Sequence, residues 1–274
     1  MARGPKRSVS QPEFSSQQFV VSLLEYALHR VLTMNIHLKI GFYLLLVTSM
    51  SVLGDLARPG PSYFSDKGNL FNIYFVKLGW GWTSALVISF ILISNQIEND
   101  GQFKNLGRPL ARYAVLTVYW YVCTHSFEWL ENITGSCSHS DFPRKRPCLK
   151  GGHGWLGFDI SGHCFLLVHS LLFMNSELQI IFRVSKKLES LGKSDSSSSS
   201  GEGNYTLPIG TYRLALRALT VIMFLLQCIW ELMLLTTALY FHTTVQKLVG
   251  VFFAVGGWFF LPFRPTEPSK RNSR

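Results

Sequence analysis

The chain has 274 residues, 47% hydrophobic and 14% aromatic, with only 15% charged and a mean hydropathy of +0.20. A soluble domain carries about 25% charged residues, so this composition excludes an ordinary soluble protein and points to a polytopic membrane protein. The net charge of +10 does not indicate a nucleic-acid partner, because the Lys and Arg residues sit in short loops between apolar runs, where topology and lipid headgroups account for them.

In chain order, residues 1–18 are basic and polar with no apolar core, unlike a cleavable signal peptide; the first span is expected to act as a signal anchor. Residues 18–34 carry apolar side chains at helical spacing, broken by Glu25, His29 and Arg30, the pattern of an amphipathic helix lying on the membrane surface. Six apolar runs follow, each near the length needed to cross a bilayer: 38–53, 70–93, 110–127, 158–182, 214–241 and 248–263. The fold class expected is therefore all-α, a polytopic bundle of six transmembrane helices. Residues 1–37 form a cytosolic N-terminal segment, 38–263 the membrane domain and 264–274 a cytosolic tail. Loop 183–212 is expected to be cytosolic, with a flexible Ser-rich tract over 194–203. Most Lys and Arg residues fall on the side that holds both termini, which places those termini in the cytosol. The sequon Asn204-Tyr205-Thr206 then falls on the cytosolic side and is expected to stay unmodified.

Three of the five cysteines, Cys123, Cys164 and Cys228, lie in or beside apolar runs and read as packing residues. Cys137 and Cys148 share a polar loop with the sequon Asn132-Ile133-Thr134, and they can pair if that loop is lumenal. His139, His153 and His169 do not combine with His163 or Cys164 into a familiar metal spacing, so no zinc site is expected.

Titratable groups at a bilayer are costly and tend to mark function. Two histidines stand out. His163 opens the fourth apolar run in Gly157-Phe158-Asp159-Ile160-Ser161-Gly162-His163, and His242 closes the fifth in Tyr240-Phe241-His242. With six spans, both imidazoles fall on the lumenal face, so a joint site is geometrically allowed.

These segments, with Asn72-Ile73-Tyr74-Phe75-Val76-Lys77, Trp80-Gly81-Trp82-Thr83 and Thr134-Gly135-Ser136-Cys137, resemble the fat storage-inducing transmembrane proteins. Those are six-span endoplasmic reticulum proteins needed for lipid droplet formation. The Phe-Asp-Ile-Ser-Gly-His form looks more like the widespread branch of that family than the muscle-type branch. The family is similar in turn to lipid phosphate phosphatases. The resemblance implies a lipid-phosphatase-like helical bundle in the endoplasmic reticulum membrane and a hydrolase acting on the diphosphate bond of fatty acyl-CoA. Its products would be acyl 4′-phosphopantetheine and adenosine 3′,5′-bisphosphate, and no cofactor is implied. By the same resemblance His163 is the general acid and His242 the nucleophile, roles that imidazole fills near neutral pH. Ser161 and Gly162 are implied as phosphate-binding neighbours. The alternative is a non-catalytic protein that binds triacylglycerol or diacylglycerol among the membrane lipids and promotes droplet formation.

The phosphatase pattern is incomplete. Ile160 replaces a proline, Gln246 stands where an aspartate usually orients the nucleophile, and Leu235-Thr236 replaces a Ser-Arg pair. The phosphatases' first motif is not matched: Lys104 precedes Arg108-Pro109 by only four residues, on the side opposite the histidines. Lys77 and Lys247 are candidates to supply the missing cations, or else they reach lipid headgroups. Asp159, one helical turn before His163, either orients that ring or serves as a charge at a helix start. Glu231, deep in the fifth run, reads as a structural residue paired within the bundle. Trp80 and Trp82 read as packing and lipid contact.

Overall fold

The computed structural model describes residues 34–197 and 208–259. Helix α1 spans Ile36–Ala57, started by Asn35, whose side chain accepts the His37 amide. A turn of 3-10 helix (Tyr63–Ser65) and a π-helix (Phe71–Val76) lead into α2 (Gly79–Glu98), and α3 covers Gly107–Thr134. A short antiparallel pair, β1 (Ser136–Cys137) with β2 (Trp155–Leu156), flanks the small helix α4 (Lys145–Lys150). Then come α5 (Gly162–Leu178), α6 (Ile181–Ser197), α7 (Ile209–Tyr240) and α8 (Thr244–Phe259).

Among the described residues, four stretches are long and apolar enough to cross a membrane: Ile36–Ala57, Gly79–Glu98, Gly162–Lys193 and Ile209–Tyr240. Thr244–Phe259 is a shorter apolar helix beside them. The structure is thus an all-α polytopic membrane protein, and α5 is its axis. From Cys164 to Leu178 every residue except Leu166 is buried, with His169, Ser170, Asn175, Ser176 and Glu177 enclosed among the apolar side chains. It is packed by α2, α7 and α8. Trp80 stacks on Tyr113, Trp120 and Phe173 and against the buried His169, whose Nε2 faces the Leu116 carbonyl at 3.3 Å. Trp82 is largely exposed on the outer face and donates to the Tyr74 carbonyl. The reading of these indoles as packing and lipid-facing groups agrees with those positions.

Several polar groups inside the spans pair between helices. Tyr43 donates to Glu231 at 3.0 Å, and Lys39 reaches Gln227 at 3.5 Å, joining α1 to α7. Glu231 therefore has the bundle partner expected of it. Arg112 and Glu177 form a buried two-bond pair between α3 and α5.

The loop expected over 183–212 differs in its first half. The chain kinks at Gln179–Ile180 and continues as α6 to Ser197, so residues 194–197 of the Ser-rich tract are helical. Ile181, Val184 and Leu188 are buried at i, i+3 and i+7, which gives α6 one apolar face against α2 and α7 and a polar face outward. The surface helix expected over 18–34, apart from Met34, lies outside the described residues, as do residues 198–207 with their sequon and the tail 264–274.

Candidate active site

Site construction begins with Ser161. Its hydroxyl accepts the Cys164 amide and so caps α5, as serine does at helix starts. Its own amide donates to the Gln246 carbonyl at 3.1 Å, tying the start of α5 to the first turn of α8. A Cβ on Gly250 would sit 2.6 Å from the Ser161 carbonyl oxygen, so only glycine permits this approach. Ile160, where a phosphatase has proline, is buried and anchors the segment by packing.

His163 is the second residue of α5. The Phe165 amide bonds the Ser161 carbonyl and the Cys164 amide its hydroxyl, which leaves the Gly162 and His163 N–H groups at the open helix end. A Cβ on Gly162 would meet nothing within 4 Å, so there is space over that end. Amides with no partner among the described residues and the positive end of the helix dipole make such a place suited to an anion.

His242 sits in the two-helix corner between α7 and α8 with φ 55°, a left-handed conformation in which histidine is enriched among non-glycine residues. The turn is fixed on both sides. The Phe241 amide bonds the Thr237 carbonyl. Thr243 and Gln246 form a reciprocal cap, the Thr243 amide donating to the Gln246 side chain at 2.9 Å and the Gln246 amide facing the Thr243 hydroxyl at 3.5 Å. That is the capping-box arrangement. Gln246 thus shapes the helix start and does not orient the imidazole.

The orienting carboxylate comes from elsewhere. Asp159 Oδ2 lies 3.5 Å from His242 Nδ1, and the Asp159 backbone also bonds the ring. The helical-turn reading that aimed Asp159 at His163 is therefore corrected: it precedes α5 in extended chain, and its side chain turns to His242. Burial lowers the His242 imidazole below its ordinary value; Asp159 pulls the other way, and Lys67 and Lys247 push it further down. Burial likewise raises the Asp159 carboxyl, against the pull of His242. The Nδ1 edge of His242 faces the Asp159 carboxylate.

His163 lies within electrostatic reach of His242, Lys67 and Lys77. The two histidines thus fall at one end of the bundle. Lys77 closes the π-helix two residues ahead of α2 and is exposed. Lys247 is placed differently from the headgroup-reaching lysine it resembled in the sequence. It is 1% exposed and donates to the Ala238 carbonyl at 2.6 Å, satisfying an end carbonyl of α7 from behind the site.

Lys67 went unnoticed in the sequence, yet it is the cation common to His163, His242 and Asp159. Its loop is built by Asn69, which donates to the Phe64 and Asp66 carbonyls, and by Asn72, which donates to the Lys67 carbonyl at 2.6 Å. The spacing Asp-Lys-Gly-Asn over 66–69 was the only trace of this turn.

The polar loop closes the same end. Cys137 and Cys148 are disulfide-bonded with Cα atoms 5.9 Å apart. Lys145 pairs with Glu131 at 2.6 Å, and the Phe158 amide donates to Thr134 at 3.0 Å, fastening the segment ahead of α5 to the end of α3.

Comparisons with known proteins agree on one family. The family model described as "Fat storage-inducing transmembrane protein" matches residues 60–134 and 135–261. Among curated relatives, the acyl-coenzyme A diphosphatase FITM2 of Homo sapiens is 35% identical over 78% of this chain and 78% of its own length. The protein of the same name from Xenopus tropicalis is 35% identical over 78% of this chain and 76% of its own. That from Drosophila melanogaster is 33% identical over 94% of this chain, which spans 64% of that relative's length. No solved structure matches the chain.

Proposed function

Because the chain belongs to the fat storage-inducing transmembrane protein family, we propose that it is a fatty acyl-CoA diphosphatase. It hydrolyses acyl-CoA to acyl 4′-phosphopantetheine and adenosine 3′,5′-bisphosphate, and so supports lipid droplet formation and lipid balance in the endoplasmic reticulum. The observation that carries this reading is the Asp159–His242 contact beside the open N-terminus of α5, where His163 sits.

His242 Nε2 attacks one phosphorus of the diphosphate, and a nitrogen–phosphorus bond forms as the bridging phosphorus–oxygen bond breaks. His163, protonated once the anionic diphosphate is bound beside it, gives its proton to the departing phosphate oxygen. Water then attacks the phosphorus held on His242, His163 takes a proton from that water, and the nitrogen–phosphorus bond breaks, so the second product leaves with both histidines restored. Asp159 holds the Nδ1 side of His242 and stabilises the positive charge that develops on the ring, as a carboxylate does for a catalytic histidine. The Gly162 and His163 amides and the exposed Lys67 and Lys77 face the phosphoryl oxygens. Lys247 keeps the α7–α8 corner closed.

We further propose six spans, formed by α1, α2, α3, α5, α7 and α8, with both termini cytosolic and the site lumenal. The Cys137–Cys148 disulfide at the histidine end supports that side, since disulfides persist in oxidising compartments.

The test is release of adenosine 3′,5′-bisphosphate from oleoyl-CoA by detergent-purified protein, comparing wild type with His163→Ala and His242→Ala at matched melting temperature. Release by the wild type and loss in both variants supports the reading. Equal activity in both variants defeats the two-histidine site. An inactive wild type that still binds labelled triacylglycerol favours the neutral-lipid-binding alternative.

A further inference from the structure

Residues 138–154 form a basic loop at the histidine end, and the proposed attack gives most of its side chains no part. The loop is well held. The Cys137–Cys148 disulfide crosses it. The Ser138 amide donates to the Gly154 carbonyl at 2.9 Å, the Gly154 amide to the Ser138 hydroxyl at 3.0 Å, and the His153 amide to the Cys148 carbonyl at 3.1 Å. Lys145 and its partner Glu131 both lie within electrostatic reach of Asp159, so the loop adjoins the catalytic groups.

Its charge is one-sided. Arg144, Lys145, Arg146 and Lys150 stand against a single carboxylate, Asp141. Asp141 faces His139 Nδ1 at 3.6 Å, and Lys145 is taken by Glu131. Arg144, Arg146 and Lys150 are exposed and have no ion-pair partner among the described residues. Arg146 and Lys150 are four apart on α4, hence on one face, where like charges repel. On the lumenal side proposed for it, this charge runs against the usual membrane distribution, so topology does not account for it. A bound anion does.

Beside these cations lies a cluster of rings. His139 and His153 have centroids 4.7 Å apart, and Phe142 is 5.2 Å from His153 and 5.9 Å from His139. A Cβ on Gly151 would sit 3.1 Å from the His153 ring and 3.2 Å from the Phe142 ring, whereas one on Gly152 would meet nothing within 4 Å. The backbone therefore backs the rings at Gly151 and leaves space next to it. The His139 side chain is 48% exposed. Rings with an open face hold a nucleobase by stacking, and guanidinium and ammonium groups hold phosphate. A phospholipid headgroup would engage only the cations; a nucleotide engages both.

We propose that loop 138–154 binds the adenosine 3′-phosphate end of the substrate. The adenine stacks on the His139, Phe142 and His153 rings, and the 3′-phosphate accepts from Arg146 and Lys150 while the diphosphate lies at the histidines. The inference rests on the acyl-CoA reading of the site. It makes the ribose 3′-phosphate the group that selects coenzyme A thioesters over other diphosphates.

The test uses the full chain in detergent and two readouts. Calorimetry compares adenosine 3′,5′-bisphosphate with adenosine 5′-monophosphate, which lacks the 3′-phosphate. Saturable binding of the bisphosphate is expected, about tenfold weaker in Arg146→Gln/Lys150→Gln, with the monophosphate bound equally by wild type and that variant. His139→Ala should weaken both nucleotides alike. In turnover the double variant should lose about tenfold in kcat/KM for oleoyl-CoA and nothing for oleoyl-3′-dephospho-CoA. Both substituted side chains are exposed, so the variant folds and its melting temperature stays that of the wild type. No saturable binding of the bisphosphate overturns the proposal. An equal loss for compounds with and without the 3′-phosphate also overturns it, and marks the cations as a general surface charge facing lipid headgroups. A wild type that binds the bisphosphate with the expected discrimination, yet releases none from oleoyl-CoA, supports the nucleotide site and defeats the hydrolase reading alone.

Discussion

Replacing Asp159 with asparagine (Asp159→Asn) keeps the side chain's size and removes the charge that faces His242 Nδ1 at 3.5 Å. In the proposed attack the imidazole becomes cationic, so the carboxylate stabilises the transition state more than the ground state. Coulomb's law at that separation gives about 5 kcal/mol at an effective dielectric of 20 and about 1 kcal/mol at that of water. The Asp159 side chain is 52% exposed, so screening brings the value toward the lower end. About 1.4–2.7 kcal/mol remains, a fall in kcat of roughly 10- to 100-fold with KM little changed. The assay is adenosine 3′,5′-bisphosphate release from oleoyl-CoA across a pH series. Asp159 raises the His242 proton affinity, so its removal should also move the acid limb of the pH profile to lower pH. A kcat within twofold of wild type, or an unmoved acid limb, would refute the assignment of Asp159 as the orienting group.

Three more outcomes are expected. Burial lowers the His242 proton affinity, so the neutral nucleophile persists below the ordinary imidazole value of about 6.5; kcat attributable to this group should hold through that pH and fall only on further acidification, and a wild-type acid limb above pH 7 would contradict it. Gly250→Ala forces a Cβ against the Ser161 carbonyl, an overpacking cost of about 1–3 kcal/mol, read as a melting temperature several degrees lower with kcat reduced because α5 and α8 part at the site. Lys67→Gln should lower kcat/KM about tenfold or more without moving the melting temperature, since this side chain is exposed and its loop is held by the Asn69 and Asn72 bonds; unchanged kinetics would remove Lys67 from the phosphate site.

What was legible in the sequence follows from periodicity and local spacing. The apolar runs, the placement of His163 and His242 at one end, and the possible pairing of Cys137 with Cys148 needed only span counting and a shared loop. The partner of Asp159 was hidden because it belongs to a corner made by a distant segment, whereas helical spacing offered His163 nearby. Gln246 looked like a missing aspartate, but its reciprocal bonds with Thr243 show a helix cap. Helix α6 was masked by its Ser- and Lys-rich composition, although Ile181, Val184 and Leu188 carry the helical period. Lys67 depends on loop geometry, set by the Asn69 and Asn72 side-chain bonds.

The central claim is that His242 is the nucleophile, and the most direct measurement is covalent trapping. Wild-type protein is mixed with oleoyl-CoA, quenched in alkali within the first turnovers, and digested for mass spectrometry of the peptide holding His242. An acid-labile adduct carrying one half of the diphosphate on His242, absent from His242→Ala, is the predicted result. Turnover by His242→Ala, or wild-type turnover with no adduct on that histidine, would contradict the account.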